Sequence, residues 1–205
     1  MKKNKALVLL SCLVFVLVLI VGISTSNSVK VDEGETQKKV EPKEDERFSV
    51  QLKELSTGQA VEGAEIISDI TNDGLELSGG SIMVHNPGDY VAYTFDIVND
   101  GNVNSELSLL EIPSLTCTST DGNVEIAQKV CEQMGIDISY NYEPNKSVEI
   151  GDSLAKGTTT SFTMSIIYNN GPEVIENVNV QVDGIKVVFG YQKNNTAKIT
   201  VGQKN

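Results

Sequence analysis

The stretch Tyr90-Val91-Ala92-Tyr93-Thr94-Phe95-Asp96-Ile97-Val98 decides the fold class. Side chains of a strand alternate between its two faces, so Val91, Tyr93, Phe95 and Ile97 share one face while Ala92, Thr94 and Asp96 share the other. Such a pattern predicts a half-buried strand. The same arrangement recurs in residues 161–168, with Phe162, Met164, Ile166 and Tyr168 inward, and in residues 136–142 through Ile138, Tyr140 and Tyr142. Further on, Val178, Val180 and Val182 precede Asp183-Gly184, and Ile185, Val187, Phe189 and Tyr191 follow it. An Asp-Gly dipeptide between alternating runs predicts a hairpin whose two strands pair. Additional strands are expected at 48–55, 64–70, 80–84, 104–112 and 197–201. A total of roughly eight to ten suits two packed sheets.

One segment departs from the period of two. Asp121 or Asn123 offers a cap, Ile126, Ala127, Val130 and Met134 follow at helical spacing, and Gly135 offers a stop. The fold class expected is therefore all-β, an immunoglobulin-like or jelly-roll β-sandwich with one short helix inserted near 123–134. That helix is expected to close one end of the sandwich.

The chain has 205 residues, which with a non-globular N-terminus leaves room for one domain. It carries 17 Gly, 5% aromatics and no Trp, a bias toward strands and tight turns. Lys2, Lys3 and Lys5 precede 18 uncharged residues, Ala6 to Ile23. As a helix that run spans roughly 27 Å, enough to enter or cross a hydrocarbon core. Residues 1–26 therefore read as a signal peptide, cleaved near Ser24 or Ser26, or as an N-terminal membrane anchor. Either way the lysines stay in the cytoplasm and the remainder faces outward, secreted or membrane-anchored. Residues 27–46 hold 11 charged residues in 20 and cannot bury a core, so they read as an acidic, disordered stalk. The sandwich domain is expected over 47–205. Beyond the leader, 13 basic residues face 28 acidic ones, which argues against nucleic acid as a partner.

Cys117 and Cys131 are the only cysteines outside the leader, and an oxidising compartment permits a disulfide between them. Two unpaired, half-buried thiols are the other reading. A nucleophilic cysteine needs a base, and the only imidazole is His85, which reads as a solvent-exposed loop residue. With no second histidine and no paired-cysteine motif, a zinc site has no ligand set. Asp69, Thr71 and Asp73 repeat the oxygen spacing that opens a calcium loop, but the twelfth position is Gly80 rather than a bidentate Glu. They read first as turn chemistry and second as weak calcium candidates. No catalytic residue and no cofactor is expected, and the chain is not read as an enzyme.

Residues 86–107, NPGDYVAYTFDIVNDGNVNSEL, resemble the "PGD, YTF, I-x-N-x-G" passage of small exported immunoglobulin-like surface proteins of Gram-positive bacteria. Residues 154–168, LAKGTTTSFTMSIIY, are similar to the later "L-x-x-G, alternating strand" passage of the same group. More distantly the chain is similar to camelysin and TasA, exported biofilm-matrix proteins with a jelly-roll domain. That likeness implies matrix or fibre assembly by strand donation. A fragment, residues 50–66, is similar to the first strand of Cna B-type pilin and adhesin repeats, which implies Lys53 as an isopeptide candidate.

The function expected is that of a cell-surface structural or adhesive module whose partners are other surface or matrix proteins, or further copies of itself, with the membrane engaged through the N-terminus. The alternative is an extracellular receptor for carbohydrate or calcium, its loops forming the site.

Overall fold

A computed structural model describes residues 45–194 of the chain. The leader, nearly all of the stalk and the strand expected at 197–201 lie outside the described residues. Two antiparallel sheets pack face to face, a β-sandwich, with thirteen strands and one short helix among the described residues.

The first sheet contains β1 (Val50–Lys53), β2 (Gln59–Val61), β5 (Tyr90–Asn99), β8 (Met134–Tyr140), β9 (Glu143–Ser147) and β11 (Thr158–Tyr168). Its order is β1-β5-β11-β8-β9, with β2 also on β5. The second contains β3 (Glu65–Asp73), β4 (Glu76–Val84), β6 (Ser105–Glu111), β7 (Thr116–Ser119), β10 (Ser153–Leu154), β12 (Val180–Asp183) and β13 (Lys186–Lys193). Its order is β10-β6-β13-β4-β12-β7, with β3 also on β4. The helix α1, Val124–Gln133, lies between β7 and β8.

The alternation at 90–98 carries through: Val91, Tyr93, Phe95 and Ile97 are buried, as are Ile166, Met164 and Phe162 opposite the first three on β11, and Tyr168 at its end. Phe95 packs on Phe162 of its own sheet at 5.6 Å and on Phe189 of the facing sheet at 5.5 Å, ring centre to ring centre. Burying one such ring contributes about 1.5–3 kcal/mol.

The expected hairpin at Asp183-Gly184 is corrected. β12 and β13 do not pair with each other; both lie along β4 in one continuous register, Val180 opposite Val84, Val182 opposite Ile82, Lys186 opposite Ser78 and Val188 opposite Glu76. On their other side β7 and β6 form a second broken strand, pairing Val180 with Ser119 and Val188 with Glu111. Gly184 has φ 73°, and across from it Gly79 and Gly80 have φ 80° and 75°. Left-handed residues in neighbouring strands kink the sheet instead of reversing the chain. Tyr142 is likewise corrected: β8 ends at Tyr140, and Tyr142 is 65% exposed in the turn before β9.

The motifs behind the resemblance are joints of this scaffold. Asp89 of Pro87-Gly88-Asp89 is buried and accepts N–H bonds from Gly63, His85 and Asn86, while the Tyr168 amide bonds its carbonyl. Asn99, also buried, donates to the Val103 and Leu154 carbonyls, and its own carbonyl accepts the Gly157 amide. The "N-x-G" and "L-x-x-G" passages therefore meet. Gly101 permits the lead-in chain to cross, since a Cβ there would overlap the Arg47 carbonyl oxygen. Arg47 in turn bonds the Asp100 carbonyl and the Asn102 side chain.

Burial raises the pKa of Tyr93 to about 12 and also raises those of Tyr140, Tyr168 and Tyr191 above the usual 10. A raised folded-state pKa means that the unfolded chain loses its phenolic protons first, so stability is intact below about pH 10 and falls as pH climbs above it. In a 295 nm titration these four rings are expected to ionise together with the loss of near-ultraviolet circular dichroism. Complete ionisation of all six tyrosines with the dichroism intact would contradict this burial.

Candidate functional site

Two stretches of the chain, 112–115 and 128–136, form an open groove of about 400 Å³. One wall is the last turns of α1, another the start of β8, and the third the 112–115 link between β6 and β7. Its surface is mainly Ile112, Pro113, Leu115, Met134 and Ile136, with Glu132 as its charged residue.

The helix wall is set locally. Asn123 caps it by accepting the Ile126 amide at 3.1 Å, Glu125 faces the positive end of the dipole, and Ala127 and Val130 bury against the sandwich. Asp121 bonds the Ser119 hydroxyl, which holds its carboxyl below the usual range. Of the two expected caps it is Asn123 that serves. Gly135 does not stop the helix. Met134 turns extended and β8 begins at once; Gly135 sits in that strand, where a Cβ would come within 2.8 Å of the Asn169 amide.

The disulfide is present. Cys117 and Cys131 are joined with Cα atoms 5.6 Å apart, pinning α1 to β7, and Cys131 borders the groove. A disulfide fits an oxidising, extracellular environment.

The edges around the groove are open. β8 pairs with β11 along its whole length but with β9 only at Ser139 and Tyr140. The Val148 amide donates to the Ile138 carbonyl on the side away from β11. Peptide groups alternate along a strand, so those of Ile136 face the same way, toward the groove. β6 likewise has β13 on one side and, on the other, β10 at Ser105 and Glu106 and the Gly151 and Asp152 backbone at Leu107. Among the described residues no strand lies beside Ser108 to Glu111 on that side.

The residues singled out as chemistry candidates are not brought together. Asp69, Thr71 and Asp73 lie along β3, not in a turn, and the turn itself falls at Gly74-Leu75. Four residues of strand separate Asp69 from Asp73 by about 13 Å, whereas calcium ligands lie about 2.4 Å from the ion. The Asp69 carboxylate instead accepts the Gly58 amide at 2.9 Å, tying the first sheet's edge to β3. Gly58 lies over the Tyr93 ring, where a Cβ would be 2.8 Å from it. Asp69→Ala is expected to lower the melting temperature by about 2–4 °C, the effect of losing about 1 kcal/mol. The drop should be equal with and without millimolar calcium; one confined to calcium-containing buffer would restore the calcium reading.

His85 is half-buried rather than solvent-exposed. Its Nδ1–H donates to the Val178 carbonyl at 2.9 Å and its Nε2 lies 3.6 Å from Glu65. Lys53 is exposed on β1 opposite Asp96. Among the described residues no three His, Cys, Asp or Glu side chains are placed to hold a metal, and no helix is long and apolar enough to cross a membrane.

No protein-family model matches the chain, and no curated protein or solved structure is significantly similar to it. The groove was missed in the sequence because its walls come from residues some 20 positions apart, each with an ordinary strand, link or helix pattern. Pro113 just after a strand is the one local signal.

Proposed function

We propose that this chain is an exported, cell-surface structural or adhesive β-sandwich module that works by protein–protein contacts, as a subunit of a matrix or fibre. The observation that carries this reading is the groove: an apolar surface bounded by an open strand edge, which is the feature that β-strand addition uses. Backbone groups of β8 supply the pairing, and Ile112, Leu115, Met134 and Ile136 supply the side-chain contacts. The disulfide and the apolar leader both support a place outside the cytoplasm, anchored by the N-terminus or released. The other free edges are less suited to addition. β9 carries Pro144, β3 is bulged between Ile66 and Ser68, and the β1–β2 edge is broken where Glu54 has φ 52°.

Ile112 is 40% exposed, so Ile112→Asp alters the groove without entering the core. Amine cross-linking on intact cells that display the chain is expected to give high-mass adducts with the wild type and about tenfold fewer with Ile112→Asp, at unchanged surface amount. Equal adducts for both would exclude the groove as the contact.

A further inference from the structure

Resting on that reading, we propose that the groove accepts the segment Ala197–Val201 of a second copy of this chain, added as a strand along β8. Three observations meet here: what the groove requires, what the segment offers, and how far the segment reaches.

The groove requires an extended partner with apolar side chains on one face, since its open side presents the Ile136 peptide groups above an apolar floor. It also favours a positive charge. Glu132 at its wall accepts from Gln128 and has no cation beside it among the described residues, because the nearby Lys129 is committed to Glu125 and Glu173.

The segment Ala197-Lys198-Ile199-Thr200-Val201 offers this pattern, with Ala197, Ile199 and Val201 on one face and Lys198 and Thr200 on the other. Its only charge is the positive one that Glu132 lacks.

Reach decides which copy donates. The Asn194 amide bonds the Asn104 carbonyl, and Asn104 precedes Ile112 by eight residues along β6. In extended chain that is about 25 Å. Ile199 follows Asn194 by five residues and extends at most about 17 Å. It falls short of the groove of its own chain, so the donor is another copy. The contact joins two different surfaces, head to tail, and such an interface need not close, so it propagates into a chain of subunits.

The test uses full-length protein as an equal mixture of light- and heavy-nitrogen copies, joined by a zero-length carbodiimide that links amines to carboxylates. The expected result is a Lys198–Glu132 peptide pair of mixed label in the oligomer fraction, with yield at least tenfold lower in Ile199→Asp. Lys198→Arg should keep the oligomers while removing the link. Links of one label only, oligomers that persist in Ile199→Asp, or a monomer throughout would each overturn the proposal. Cell-surface adducts lost in Ile112→Asp but unchanged in Ile199→Asp would overturn this docking and leave the protein-contact reading standing; loss in neither would remove both.

Discussion

Asp89→Ala is expected to leave the domain at or below the limit of folding. The Asp89 carboxylate takes the amides of Gly63 at 2.9 Å, His85 at 2.7 Å and Asn86 at 2.9 Å, in a site that is 2% exposed. Each amide left unpaired in such a place costs about 1–3 kcal/mol, so three cost about 3–9 kcal/mol together. Domains have only about 5–15 kcal/mol in total. Water cannot fully take the carboxylate's place, because Gly63 packs against it, a Cβ there lying 3.0 Å from its oxygen. Asp89→Asn keeps one acceptor oxygen, which can still serve His85 and Asn86, leaves the Gly63 amide unpaired and is expected to lose about 1–3 kcal/mol. Urea unfolding of the two variants checks both values; an alanine variant within about 1 kcal/mol of the wild type would refute the assignment.

Replacing Cys117 and Cys131 together by serine is the second large effect expected. The bond closes a loop between residues separated by 14 positions, and releasing a loop of that size costs about 3 kcal/mol through the entropy of the unfolded chain. For a domain of this size that corresponds to a melting temperature lower by roughly 6–12 °C. Reduction of the wild type should reproduce the shift. The link at 112–115 and the helix would part first, since α1 rests on β7 through this bond and on the core through Ala127, Val130 and few other apolar side chains. Loss of groove-dependent adducts on reduction, before global unfolding, is the associated observation. A change in melting temperature below about 2 °C would show that the bridge adds little.

What the sequence disclosed followed the range of the forces involved. Val91 to Ile97 could be read because a strand's burial pattern is written in consecutive residues, and Asn123 because a cap acts within one turn. The two cysteines could be paired because no others compete beyond residue 26. Asp183-Gly184 misled because its local chemistry suits a reversal, while the deciding partners, Gly79 and Gly80, lie a hundred residues earlier. Gly135 looked like a helix stop for the same reason, its true constraint being Asn169 on a neighbouring segment. The groove was the least legible of all, since it exists only where the ends of separate elements meet. The likeness to exported surface proteins rests on Asp89, Asn99 and Leu154, and these residues join strands rather than contact anything outside.

The broken strand running from Val180 to Lys193 has a consequence for how the protein is made. In the second sheet β4 meets β6 only through β13 and meets β7 only through β12, and β12 and β13 are the last elements in the described chain. Until residue 193 has emerged from whatever machine delivers the polypeptide, about half of the sandwich has no central strand and its apolar face stays uncovered. Closure of the second sheet is therefore withheld until β13 is available. On the proposed reading of an exported chain, the order of its strands acts as a timer, holding it soft during passage and closing it only once residue 193 is through.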